Sequence, residues 1–371
     1  MNDGSAGSTM VSGCVLHGQS LPKPGMRTRC FLPATRNWLR KRNEFSRIVC
    51  CLSLLAALVW PAVDAKAQKI VATVPLPNAS ACCSVAVNPA LDLIYVSSSF
   101  LTSGDNIAVV NGSTYTASLV SSTDGGVSVD MKNDNYWAAT LYGGTVQVFA
   151  GKTNDLLETL GASGCPGETS FDCKLGRVWA GAQCGADDDP IWVYNANNFE
   201  TIAGPIGSGG VQGPIIVNPQ SGKLYICPSG APKEISPTTF EVTSTPFGCV
   251  QAVDDATNRL FAVSGDSLQI VNGATDSILK TVTLTYSPGP IVVNKALDHL
   301  YVSNTAASTV EVRNDTTGVL LATISLPSAV AGMGVDSTRG LLYVVAYPTS
   351  PVLYVIQDLT MVRNCLTRGS C

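Results

Sequence analysis

Pro290-Ile291-Val292-Val293-Asn294-Lys295-Ala296-Leu297-Asp298-His299-Leu300-Tyr301-Val302-Ser303-Asn304 reads as an apolar run, a polar anchor, and an aromatic seven positions after the anchor. The same arrangement pairs Asn88 with Tyr95, Asp130 with Trp137, Asp172 with Trp179 and Asn218 with Tyr225. It recurs at Asp254 with Phe261 and at Asp336 with Tyr343, making seven copies with Asn294 and Tyr301. Successive anchors lie 42, 42, 46, 36, 40 and 42 residues apart. A fixed internal offset inside repeats of variable length is what fixed strands and variable loops produce.

Each repeat reads as four short strands. The first is the apolar run ending at the anchor, nearly continuous as an innermost strand covered on both faces should be. The second carries the aromatic. The third alternates in period two, as in Val310-Glu311-Val312 or Val146-Gln147-Val148. Asn- and Gly-rich turns follow, such as Asn272-Gly273-Ala274-Thr275, and lead into an outermost strand such as Val319 to Ile324. About 40 residues in four strands make a propeller blade. The expected fold is all-β, a seven-bladed β-propeller of four-stranded antiparallel blades. The anchor side chains should bond backbone in the turn after the first strand. The aromatics should fill the wedges between blades rather than form a stacking row for ligand.

The last repeat lacks an ordinary fourth strand, since Met361-Val362-Arg363-Asn364-Cys365 is short and unlike the others. The missing pattern lies at the other end. Val71-Ala72-Thr73-Val74-Pro75-Leu76-Pro77 matches Leu321-Ala322-Thr323-Ile324-Ser325-Leu326-Pro327 in residue type everywhere except Pro75. An outermost strand tolerates proline. Residues 69–76 are therefore expected to supply the outer strand of blade seven and close the ring.

Tyr301-Val302-Ser303-Asn304 and Tyr95-Val96-Ser97-Ser98, the latter with Val87-Asn88-Pro89 before it and Asn111-Gly112-Ser113-Thr114 after it, resemble the YVTN signature. Over about 69–360 the chain resembles the YVTN-repeat, or YncE-like, family of exported bacterial β-propellers. That resemblance implies a periplasmic or cell-surface protein, usually without a known enzymatic activity. Blades two and three depart from the pattern with Tyr136-Trp137-Ala138 and Val178-Trp179-Ala180, and blade four with Ile226-Cys227-Pro228.

The N-terminal segment has a different character. Arg36, Arg40, Lys41, Arg42 and Arg47 precede the apolar run Ile48 to Trp60, then Ala65-Lys66-Ala67. That order is expected of a secretory signal peptide, with cleavage before Gln68. The apolar run spans 13 residues, too short for a bilayer core of ~30 Å, so no membrane insertion of the mature chain is expected. The expected division is an N-terminal extension and signal peptide at 1–67, a propeller at 68–360 and a tail at 361–371. Without the leader, 14 basic residues face 24 acidic ones, a net charge of about −10. This argues against nucleic acid as a partner.

Nine cysteines remain after the leader, and in an exported protein some should pair. The loop entering a blade shares a face with the loop between its second and third strands. That rule brings Cys165 near Cys184 and Cys227 near Cys249. Cys365 and Cys371 could pair within the tail.

The mature chain holds a single histidine, His299, expected at a turn and solvated. A Ser-His-Asp triad or multi-histidine metal site is thereby disfavoured, and no cofactor is expected. Asp187, Asp188 and Asp189 are the weak candidates for calcium ligands. They lack alternating spacing, and a solvated acidic turn is the simpler reading. Asp124, Glu168 and Asp266 should share one face, in or near loops, without pairing for acid–base work. No catalytic residue stands out. The expectation is a monomeric, exported, non-enzymatic binding or scaffold propeller. It would present a rigid loop face to a protein, peptide or polysaccharide. The alternative is a carboxylate-dependent, lactonase-like hydrolase or lyase acting at the central channel. Carboxylates from three or more blades at the channel mouth would favour the enzyme, and an apolar or Asn/Ser-lined mouth would favour binding.

Overall fold

The computed structural model describes residues 68–77, 83–98, 106–121, 125–183, 190–211, 213–346 and 350–358. Among them lie 28 strands in seven four-stranded antiparallel sheets, with no helix. The innermost strands, in chain order, are Cys83–Asn88, Val127–Asp130, Pro166–Asp172, Ile216–Val217, Cys249–Asp254, Ile291–Asn294 and Val330–Asp336. Each packs against the next, and Cys83–Asn88 packs against both Val127–Asp130 and Val330–Asp336, so the ring is complete.

The seam lies within blade seven. Gln68–Pro75 pairs antiparallel with Val352–Asp358, from Gln68 opposite Asp358 to Pro75 opposite Val352, with an irregularity between Ile70 and Ala72. Val74 and Leu76 are buried with Leu353, Val355 and, from blade one, Ile94 and Val110. Gln68–Pro75 thus occupies the edge that the last repeat leaves open.

Local chemistry explains the repeat. Every anchor is buried, and its side-chain oxygen accepts the backbone N–H two residues on, as Ala296 to Asn294 at 3.2 Å and Lys174 to Asp172 at 3.1 Å. The residue four after each anchor has positive φ: Asp92, Asp134, Gly176, Gly222, Asn258, Asp298 and Gly340. Only glycine, asparagine and aspartate enter that left-handed region at little cost, so these positions admit nothing bulkier without strain. The seven aromatics at the +7 position are all essentially inaccessible. The tyrosines among them find partners for their hydroxyls, as Tyr95 donating to the Gly151 carbonyl at 3.3 Å.

Blade four is the thinnest, with strands of only two or three residues. Pro214, Pro219, Pro228, Pro232 and Pro237 cluster there, and none can donate a ladder hydrogen bond. A disulfide compensates: Cys227, just after its second strand, joins Cys249, the first residue of blade five, with 5.4 Å between Cα atoms. Closing a loop of 22 residues should contribute about 3 kcal/mol. Replacing both cysteines by serine is therefore expected to lower the unfolding free energy from chemical denaturation by that amount, and the midpoint with it. An unchanged midpoint under oxidising conditions would show that blade four holds without its staple. Cys165 is also disulfide-bonded, but Cys184 lies outside the described residues. The other tail and loop cysteines, Cys82, Cys365 and Cys371, lie outside them as well. Cys173 is free and exposed.

His299 is not the solvated turn residue its position suggested. The second strand of blade six begins at His299 itself, so the ring points into the interface with blade seven. It is 5% exposed, and its Nδ1 lies 2.7 Å from Asp358 Oδ2. Tyr301 donates its hydroxyl to the same oxygen at 2.7 Å. Burial first, then the charge of Asp358, holds the Tyr301 phenol well above its ordinary pKa. Tyr301→Phe should cost about 1–2 kcal/mol in denaturant unfolding, because a buried carboxylate loses a donor. A loss below about 0.5 kcal/mol would mean that water replaces the hydroxyl.

Candidate functional site

Two cavities, of about 610 and 390 Å³, follow the ring's axis and share Val85, Ser170, Ile216, Gln251, Ile291, Val292 and Met333. Together they form a central channel. The wider part lies toward the face that carries the loops entering the inner strands, called the upper face below. The narrower part reaches the anchor turns at Pro219 and Asp255.

Inner strands position this lining because their side chains alternate between the channel and the neighbouring blade. The position four before each anchor is occupied by Ser84, Gly126, Glu168, Pro214, Val250, Pro290 and Gly332. One of these is charged. Glu168 thus sits inside the inner strand Pro166–Asp172, close to the loop that enters it. It lines the wide part of the channel, where no Lys, Arg or His accompanies it among the described residues. Burial pushes its carboxyl up to about 8. Gly126 of blade two makes room for it: a Cβ there would lie 2.0 Å from Glu168 Oε2.

The lining has two unlike halves. Blades one to three contribute hydroxyls and one carboxyl: Ser84, Ser97, Ser128, Glu168, Thr169 and Ser170. Blades four to seven contribute mostly aliphatic surface, including Pro214, Ile215, Ile216, Pro288, Pro290, Ile291 and Met333, with Gln251 the polar exception. Several hydroxyls are engaged by the ring itself. Ser84 Oγ meets the backbone of Val127, donating to its carbonyl at 3.3 Å, and Thr169 donates to the Trp137 carbonyl at 3.1 Å. Ser97 Oγ and Ser128 Oγ are buried without a protein partner. Buried polar atoms of that kind ordinarily find one.

The remaining sequence candidates do not gather here. Asp266 is exposed in the turn between the second and third strands of blade five and is not part of the channel lining. Asp124, Asp187, Asp188 and Asp189 lie outside the described residues. Among the described residues no three His, Cys, Asp or Glu side chains could hold a metal ion. Sequence reasoning missed the channel serines and the Asp358 cluster. Aligning the repeats on their anchors marks Glu168 as the odd charge. Nothing comparable marks Asp358, which belongs to the last blade's third strand and serves two side chains of blade six, His299 and Tyr301. On the upper rim, Tyr142 in the loop between Asn135–Thr140 and Thr145–Ala150 is 73% exposed.

No family model matches the chain, and no curated protein matches it. Among solved structures, a chain of the crystal structure of the mitotic checkpoint complex is similar in fold, with a TM-score of 0.64 at 14% identity. The match covers 78% of this chain and 91% of that one, and the likeness is one of fold: an all-β ring of seven four-stranded blades.

Proposed function

We propose that this protein is an exported, non-enzymatic propeller that binds a protein, peptide or polysaccharide on its upper face. The observation that carries this reading is the channel lining: serines, prolines and aliphatic side chains, with Glu168 the one carboxyl at the wide mouth among the described residues. Hydrolysis by carboxylates alone calls for two of them with divided roles. A rigid ring with a recessed, partly apolar mouth suits recognition instead. Tyr142 adds an exposed aromatic of the kind that anchors interfaces. Export is supported by the leader-like segment in the sequence and by the oxidised cysteines.

The test is capture from the native cell envelope with the mature chain, beside Tyr142→Ala on the upper face and Met131→Ala on the opposite face. Met131 is 56% exposed, so both changes are surface truncations. A specific partner should be retained by Met131→Ala and held about tenfold more weakly by Tyr142→Ala. Equal loss in both variants, or in neither, would contradict binding at the upper face.

A further inference from the structure

The two-sided lining of the channel narrows what the upper face can take. An aliphatic wall faces a hydroxyl wall, and among the described residues a single carboxyl stands on the hydroxyl side with no basic side chain in the lining to neutralise it. Among the described residues burial alone acts on the Glu168 carboxyl, with no hydrogen bond to hold its charge, and Ser97 Oγ in the same cavity is buried with its hydrogen-bonding capacity unused. The ring therefore leaves an acceptor without a cation, beside a surface suited to methylene groups. A lone ionised carboxylate in such a place is costly unless a counter-ion arrives.

We propose that the wide end of the channel is a receptor for an alkylammonium group, of the kind a lysine side chain of a protein partner presents. Glu168 is its counter-ion, Ser97 and Ser128 accept its remaining N–H groups, and the wall built from Pro214, Ile215 and Pro290 covers its stem. This rests on the binding reading above and specifies its ligand chemistry. An ammonium on a flexible aliphatic stem suits this lining, because its three rotatable donors can reach Glu168 and the two separate serine hydroxyls, whereas a guanidinium fixes its donors in one plane against the carboxylate. The cost of ionising Glu168 is then met by the ligand's charge, and binding is coupled to loss of the Glu168 proton. With the carboxyl pushed up to about 8, affinity must rise about tenfold per pH unit between pH 6 and 8, then level off.

The probe is n-butylammonium, which reproduces the lysine stem and head, with n-butanol and butyrate as controls at matched ionic strength. The mature chain is labelled with ¹³C at its glutamate carboxyls, and Glu168 is followed by NMR during ligand and pH titrations. Saturating butylammonium should move the Glu168 midpoint to lower pH by at least about one unit, with affinity following the stated slope. Glu168→Gln, which keeps the shape and removes the charge, should bind butylammonium no better than butanol and without pH dependence. Butanol binding as tightly as butylammonium, a slope of zero, or full affinity in Glu168→Gln would each overturn the assignment. So would affinity that falls as pH rises, since that marks a neutral Glu168 donating to an uncharged ligand. If butylammonium fails while a partner is still captured through Tyr142, the ligand chemistry is wrong and the binding face stands.

Discussion

A chain beginning at residue 78 should melt roughly 10 °C or more below one beginning at Gln68, because it lacks the outer strand of blade seven. Removing Gln68–Pro75 strips Val352–Asp358 of its ladder along seven paired positions and uncovers the core around Val74 and Leu76. Each lost backbone hydrogen bond is worth ~0.5–1.5 kcal/mol and each uncovered aliphatic side chain ~1.5–3 kcal/mol. Ordering the strand costs conformational entropy in the intact chain, which cancels part of this, and several kcal/mol remain. At ~2–4 °C per kcal/mol for a domain near this size, that gives the stated shift. Calorimetry of 68–371, 78–371 and 68–365 under non-reducing conditions separates the contributions. A melting temperature for 78–371 within a degree or two of that for 68–371 would show that the seam contributes little.

Glu168→Gln should stabilise the protein by about 2–4 kcal/mol at pH 9 and by almost nothing at pH 4. The folded carboxyl titrates near 8, above its ordinary value of 4.5, so the native state keeps a proton that the unfolded chain releases. Stability contributed by this group is complete below pH 4.5 and falls as pH rises toward 8. It stays flat above that. The full shift corresponds to about 5 kcal/mol, an upper bound because the carboxyl still reaches channel water. Glutamine does not titrate, so the gap between variant and wild type opens across that window. Urea unfolding at pH 4, 7 and 9 measures it. A gap equal at all three values would mean that Glu168 ionises freely in the folded ring.

Repeat architecture was legible because its signals are local and recur seven times. Anchor, aromatic and turn each answer to one short-range requirement: a buried oxygen for turn N–H groups, a wedge filled between blades, a left-handed residue. Even the seam could be read, since Val71 to Pro77 carries the outer-strand pattern that the last repeat lacks. Blade four hid its short strands, because prolines remove ladder donors without altering the apolar pattern. The channel was legible only in outline. Its character depends on which side chains from seven blades meet on one axis, and Ser84, Ser128 and Ile291 look ordinary within their own repeats. His299 was misplaced for a related reason. Its burial comes from Asp358, 59 residues away, and no nearby residue announces that partner.

The seam also sets an order of events. Gln68 and Asp358 touch across 290 residues of chain, so the ring's last ladder joins its earliest and latest segments. For a polypeptide that emerges N-terminus first, the first strand to appear must wait for the last before it has anything to pair with. Contacts of such long range form slowly, because the intervening loop must first be organised. Until then Val352–Asp358 is an open edge and Val74 and Leu76 lack cover, which is the state most exposed to pairing with another chain. Blades one to six can be complete while the protein is still vulnerable, and the step that ends the vulnerability is the docking of eight residues.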